Sequence, residues 1–281
     1  MSILNRHVNF DMPAEKYHSI DALSKSMMSK ILKSPAHYRA ALEEHQEPTK
    51  AMQMGTAIHT AVLEPHLYSQ VVAVIPPDID GRTKEGKAWK EMHKSRIHLT
   101  HAEDIDVQGV ANSVRRHPFW DITHLNNKIE ASVFAEDEQT GLPLKARPDM
   151  WVEDHTLVDV KTTDDASPEA FSRTIGTFSY HMQAAHYLAM TGAENFIFVA
   201  VERKAPYAVG IYKLDAEWLQ AGENMRRKAI STLHECRALD SWPAYPTTTI
   251  TLSRALDSWP AYPTTTITLS CPKWVLNKSE T

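Results

Sequence analysis

Cysteine is nearly absent: Cys236 and Cys271 are the only two in 281 residues. Two thiols are too few for a disulfide framework or a cysteine-built zinc site, and such sparse usage suggests a reduced cytosolic compartment. Positive charge is not in excess either. The formal net charge is −5, so bulk charge does not announce a nucleic-acid ligand, and any surface for one must be a local basic patch. Acidic metal ligands would themselves lower the net charge. No stretch approaches the length needed to span a bilayer, so no membrane association is expected. The opening Met1-Ser2-Ile3-Leu4-Asn5-Arg6-His7 turns polar before an apolar h-region develops, and no signal peptide is expected.

What remains is the composition of an ordinary globular protein, 42% hydrophobic and 23% charged. Leu23 to Tyr38 reads as helical, broken at Ser34-Pro35, where serine as N-cap and proline at the first helical position start a new helix. Ala51 to Glu64 is a second helical run, stopped by Pro65, and Gly55 and His59 share one of its faces. Close helix packing is the plain reading of Gly55, and a satisfied half-buried ring is the plain reading of His59. Pro76 to Thr83 reads as a loop. The densest basic run follows, from Arg82, Lys84 and Lys87 through Lys90, Lys94 and Arg96. It is either a solvated helix face or a phosphate-contacting edge.

Lys128 to Ala135 and Leu142 to Trp151 read as two strands of a hairpin around the turn signal Asp137-Glu138-Gln139-Thr140-Gly141. Thr156 to Thr162 is a short strand on which Asp159 and Lys161 share a face, as period two requires. Ser167-Pro168-Glu169 opens a helix, and Ser179 to Met190 is another, with Gln183 and Tyr187 on one face. Phe196 to Val201 and Tyr207 to Leu214 are strands, and Asp215 caps a helix reaching about Cys236. The expectation is a mixed α/β domain on a central mixed sheet flanked by helices. Within one domain, 1–127 form a helical N-terminal part and 128–236 the core. Residues 237–253 read RALDSWPAYPTTTITLS, and 254–270 repeat them without one difference. A single perfect tandem copy is unlike the diverged copies of a solenoid. Only one copy can fill the original place, leaving the other as a surface excursion or an added edge strand. A tail, 271–281, follows.

Pro148-Asp149, Asp159-Val160-Lys161, the upstream Glu130 and the helix bearing His59 carry the chemistry. Three carboxylates, an imidazole and a lysine are what a metal-dependent phosphodiesterase needs. Mg²⁺ takes oxygen ligands in near-octahedral geometry, and Mn²⁺ can substitute. Asp149 and Asp159 would flank the metal, and Val160 would add its backbone carbonyl. Lys161 would orient the attacking hydroxide and offset charge on the phosphorane. Glu130 would bind a second metal or a metal-bound water, and His59 would supply an imidazole ligand. The plain alternatives are a surface Arg147–Asp149 pair and an exposed Asp159–Lys161 couple. An acid-x-lysine motif is weak alone.

Further motifs are Tyr17-His18, Leu23-Ser24-Lys25-Ser26, Ser34-Pro35-Ala36-His37-Tyr38, Met54-Gly55-Thr56-Ala57-Ile58-His59, Leu63-Glu64-Pro65, Arg82-Thr83-Lys84 with Gly86-Lys87, and Gln183-Ala184-Ala185-His186-Tyr187. Through these the chain resembles the PD-(D/E)xK (restriction-endonuclease-like) nuclease superfamily. Within it, the chain is similar to the phage exonuclease group typified by the exodeoxyribonuclease VIII (RecE) nuclease domain, a relative of lambda exonuclease. The resemblance implies that His59, Glu130, Asp149 and Asp159 ligate metal and that Lys161 is catalytic. It implies that Gln183 and Tyr187 support the site and meet DNA. It further implies Mg²⁺-dependent 5′→3′ digestion of double-stranded DNA ends, with 3′ tails left for annealing recombination. A closed homo-oligomeric ring (trimer or tetramer), a single-strand annealing partner and the bacterial host cytoplasm follow from it too. The long N-terminal extension of some members is absent, and the tandem copy has no counterpart; one copy followed by Cys271-Pro272-Lys273-Trp274 fits the expected ending. An endonuclease, a single-strand or flap nuclease, a non-catalytic DNA-end-binding protein and a hydrolase of small phosphoesters are the rivals.

Overall fold

Apolar residues segregate into two clusters on opposite faces of one sheet in this computed structural model, which describes residues 3–44, 47–124, 126–245 and 267–269. In chain order the elements are β1 (Ile3–Asn9), α1 (Ala14–Ser19), α2 (Lys25–Lys33), α3 (Pro35–Glu43), α4 (Lys50–Leu63), α5 (Tyr68–Val71), β2 (Val72–Val74), α6 (Lys84–Met92), β3 (Ile97–Leu99) and α7 (His101–Arg116). They continue with β4 (Asn127–Ile129), β5 (Ser132–Asp137), β6 (Pro143–Ala146), β7 (Met150–Val152), β8 (Thr156–Thr163), α8 (Pro168–Phe178), α9 (Tyr180–Thr191), β9 (Asn195–Glu202), β10 (Val209–Leu214), α10 (Ala216–Leu239) and β11 (Ile267–Leu269).

The central sheet has the order β11-β10-β9-β8-β7-β4. It is mixed: β8 runs parallel to β9 and β10 to β11, and the other neighbours are antiparallel. Strand alternation distributes the two cores. Leu157, Phe196, Phe198 and Ala200 face the cluster that holds Phe171, Met182 and Trp218 of α8, α9 and α10. Val158, Val160, Ile197, Val199 and Val201 face the cluster that holds Ala57, Ile58, Val107 and Val110 of α4 and α7. The result is an α/β domain with its sheet between helical layers.

The caps behave as the sequence indicates. Ser34, Ser167 and Asp215 each accept a hydrogen bond from a first-turn backbone N–H, and prolines follow the two serines. Two strands do not run as expected. Lys128 to Ala135 divides at Glu130, whose φ of 53° is left-handed and ends β4. Leu142 to Trp151 divides at Arg147-Pro148-Asp149, since Pro148 has no N–H for a ladder. Both halves therefore change sheets. β5 and β6 form the hairpin and join β1 in a three-stranded sheet, while β4 and β7 join the central one. The N-terminal part also contains β1, β2 and β3 beside its helices.

Both copies of the tandem repeat contribute described residues. Trp242 of the first stacks on Tyr38 with ring centroids 5.9 Å apart, and Pro243 O accepts from Ala36 N at 3.1 Å. The second supplies β11, paired with Tyr212 to Leu214. The rest of the repeat, 246–266 and 270, lies outside the described residues, as does Cys271-Pro272-Lys273-Trp274.

Candidate active site

β8 is the spine of the site. Its alternation puts Asp159 and Lys161 on the face covered by α9, and Val160 on the face covered by α4. Asp159 is buried, and its Oδ2 lies 2.6 Å from Lys161 Nζ. Gln183, on α9, donates from Nε2 to Asp159 Oδ1. The pair is thus fixed inside the protein, which removes the reading of an exposed couple.

Asp149 sits in the break between β6 and β7. Its Oδ2 accepts from Val160 N at 2.7 Å, which ties the carboxylate to the spine. Across the sheet edge, His59 of α4 places Nδ1 3.5 Å from the same Oδ2 and Nε2 3.1 Å from Val160 O. With Nε2–H donating to that carbonyl, Nδ1 keeps its lone pair toward the carboxylate. The left-handed turn at Glu130 is held by its N–H donating to Asp149 O at 3.1 Å. Ligand atoms of His59, Glu130 and Asp149 all lie within 4.8 Å of one another. The left-handed, non-glycine backbone of Glu130 thus lies at the point where the three ligand groups meet.

Arg147 pairs with Glu130, Nε to Oε2 at 2.6 Å, and not with Asp149. It also donates to Met12 O at 2.9 Å and Ser132 Oγ at 2.6 Å. Glu130 and Asp149 repel within this group, and Asp159 adds its charge from beside Lys161. Burial, then Asp149, push Glu130 up to about 7, although Arg147 pulls it down. Burial, then Asp159, hold Asp149 well above the usual carboxylate range. Burial and Lys161 lower His59, which favours the neutral imidazole that a metal requires. Burial alone would lower Lys161, but Asp159, Asp149 and Tyr180 more than offset it and raise the ammonium. Buried oxygens whose negative charge is incompletely matched, with one neutral imidazole beside them, fit a divalent cation.

The chain as a whole has relatives among known proteins. The model of the PDDEXK-like domain of unknown function (DUF3799) matches residues 24–252. The chain belongs to this family. Its fold is also that of a crystal structure from Eubacterium rectale described as a "Putative exonuclease". That structure has a TM-score of 0.59 and 13% identity, over 89% of this chain and 97% of that one. The crystal structure of SSO0001 is 20% identical over 64% of this chain and 85% of that one, with a TM-score of 0.31. No curated protein matches.

In this PDDEXK-like domain the other expected residues divide. Gln183 is in the site. Tyr187 is half-buried under it: its phenol hydrogen-bonds the Arg147 backbone, and its ring lies 6.2 Å from Phe196. Gly55 is not a close-packing position, because a Cβ there would meet nothing within 4 Å. It opens instead on a hollow of about 350 Å³ shared with Lys50, Thr162 and Arg203. Arg82 is exposed and tied to Asp80 at 2.9 Å, and Lys84 and Lys87 are exposed on the first turns of α6. None of the three is brought to the carboxylates by a described hydrogen bond or ion pair.

Three site residues escape the sequence reading of roles. Lys25 places Nζ 5.4 Å from the centroid of the Tyr180 ring, and Lys161 places its own 4.7 Å from it. Burial, then Lys161, lower Lys25 to about 8. Tyr17 lies under Arg147 and Lys145, 5.5 and 4.9 Å from its ring, and burial pushes its phenol up. Lys25 and Tyr17 stand inside the motifs that carry the resemblance, so that was the available signal. Tyr180 had none beyond its place at the start of α9.

Proposed function

We propose that the chain is a divalent-metal-dependent deoxyribonuclease that digests linear double-stranded DNA from its ends. Digestion runs 5′→3′ and leaves 3′ single-stranded tails for annealing recombination. The convergence of His59, Glu130 and Asp149 beside the buried Asp159–Lys161 pair carries the hydrolytic part. The RecE-like motifs, and the description of the E. rectale structure, support the end-directed part.

His59, Glu130 and Asp149 would hold the ion, with Asp159 and the Val160 carbonyl as further ligands. Mg²⁺ suits the oxygen-rich set, Mn²⁺ substitutes, and either ion, when bound, supplies charge to the phosphate and acidifies a water. The protein's own groups do the rest. Lys161 stays protonated at neutral pH, so its ammonium donates hydrogen bonds to the nucleophile and to a phosphate oxygen, where charge develops. Gln183 and Asp159 fix the direction of that ammonium. Arg147 fixes Glu130 through a charge-assisted bond. Tyr187 supports the loop that carries Asp149. Arg82, Lys84 and Lys87 contribute a basic edge to the duplex path.

The same reading includes a closed homo-oligomeric ring, trimer or tetramer, around the DNA. It includes a single-strand annealing partner and action in the bacterial cytoplasm. Among the described residues no helix is long and apolar enough to cross a membrane. The test is digestion of linear duplex labelled at the 5′ or 3′ end, beside a closed circle, with Mg²⁺. Early release of 5′ label and an intact circle are expected. Degradation of the circle would overturn the end-directed reading.

A further inference from the structure

Past Lys161 the chain opens into a hollow of about 420 Å³, within the range that ligand pockets occupy. Its floor starts at Thr162. Its wall is the last turn of α8, ending in Phe178, and Tyr180 at the start of α9. Phe178 is 56% exposed. A single exposed apolar ring is ordinary, but the surroundings of this one are not. It stacks on Tyr180, with centroids 5.7 Å apart and planes 24° apart. Tyr180 is the ring that lies against both Lys161 and Lys25. Lys25 Nζ also donates to Phe178 O at 2.7 Å.

Arg173 and Arg203 stand on the rim. The two acids there are already engaged. Asp164 pairs with Arg203, and Asp165 accepts from Ser167 N at 2.8 Å. The hollow therefore offers an open aromatic face with Arg173 on its rim, and it joins the candidate centre through the Tyr180 ring that Lys25 and Lys161 flank. An aromatic face flanked by cations binds unpaired nucleotides, the base stacking on the ring and its phosphates meeting the charges. A base inside a duplex cannot use it, because its faces are covered by its neighbours.

We propose that this hollow receives the base of the nucleotide adjoining the phosphate at the carboxylate–lysine cluster, stacked on Phe178, so that the DNA end is unpaired there. The inference rests on the deoxyribonuclease reading and adds the form of substrate it takes. Lys25 and Arg173 hold the phosphates that flank the stacked base.

The test measures binding without cleavage, by anisotropy of fluorescein-labelled duplexes with Ca²⁺ in place of Mg²⁺. One duplex has a fully paired end and the other an end with three unpaired residues. The wild type should bind the unpaired end more tightly. Phe178→Ala should weaken that complex by about 5- to 150-fold, the equivalent of one lost base–aromatic stack, and abolish the preference. Phe178→Trp should keep both. The melting temperature of each variant reports its folding, which an exposed ring should not disturb. Equal affinities for Phe178→Ala and wild type on both duplexes would overturn the subsite while leaving DNA binding intact. Failure of the wild type to bind either duplex would overturn the deoxyribonuclease reading itself.

Discussion

Replacing Glu130 with glutamine should make the metal-free protein lose less stability as pH rises. Burial and the neighbouring Asp149 raise Glu130 from 4.5 to about 7, and Arg147 only partly opposes them. The folded state therefore holds this proton more tightly than the unfolded chain does. Its contribution is full below about pH 4.5 and is lost as pH climbs through about 7. The gap corresponds to roughly 3 kcal/mol at 1.36 kcal/mol per pKa unit. Glutamine cannot ionise, so the variant lacks that loss. It also removes the charge-assisted bond to Arg147, whose pH-dependent part is already contained in the raised value of Glu130, and Arg147 keeps Met12 O and Ser132 Oγ. The slope, not the absolute stability, is the readout. Urea unfolding in chelator from pH 5 to 8 should show the wild type falling by about 2–3 kcal/mol relative to Glu130→Gln. Adding Mg²⁺ at about one hundred times its dissociation constant should return about 2.7 kcal/mol to the wild type at pH 8. It should return much less to the variant. Parallel pH profiles for the two proteins would refute the reasoning, because they would mean that Glu130 carries no unmatched charge.

Lys161→Ala and Asp149→Asn should each reduce nucleotide release at least about 100-fold with the far-UV spectrum unchanged; unaltered release in both would remove them from the site. Gln183→Leu should lower the turnover number more than it changes KM, because Asp159 loses the partner of Oδ1; the leftover buried oxygen should cost about 1–3 kcal/mol in urea unfolding. Replacing Arg82, Lys84 and Lys87 together by alanine should reduce the log–log salt slope of DNA binding by up to about 2.7; an unchanged slope would make them an ordinary solvated helix face. Deleting one 17-residue copy gives the same sequence whichever copy is removed, and it leaves both Trp242 and an Ile-Thr-Leu edge strand in the chain. Melting temperature and nuclease activity should not change, and loss of either would show that the Trp242 contact and the edge strand cannot both form without the seventeen residues between them.

Much of the site was legible because its residues obey local rules. Period two on β8 put Asp159 and Lys161 side by side, and periodicity put Gln183 and Tyr187 on one face of α9, while the role of Gln183 was legible only through the family resemblance. The strand breaks were not legible. Glu130 carries no sign of a left-handed backbone, a conformation imposed by its hydrogen bond to Asp149 O. Pro148 did carry a sign, but the apolar residues on either side masked the break. β1 escaped because its middle is polar and exposed, as an edge strand allows. α7 had a readable start in the capping box of Thr100 and Glu103. The plain alternative of a surface Arg147–Asp149 pair does not form. The change of sheets at Pro148 turns Arg147 toward Glu130 instead.

The proposed metal-dependent centre for cleaving DNA consists of His59, Glu130, Asp149, Asp159 and Lys161. The most direct measurement is release of labelled nucleotides from a linear duplex by the wild type and by Lys161→Ala, each with Mg²⁺ and with chelator. Release by the wild type with Mg²⁺ alone is expected, with background levels in the other three reactions. Equal release by Lys161→Ala, or release by the wild type in chelator, would contradict this assignment.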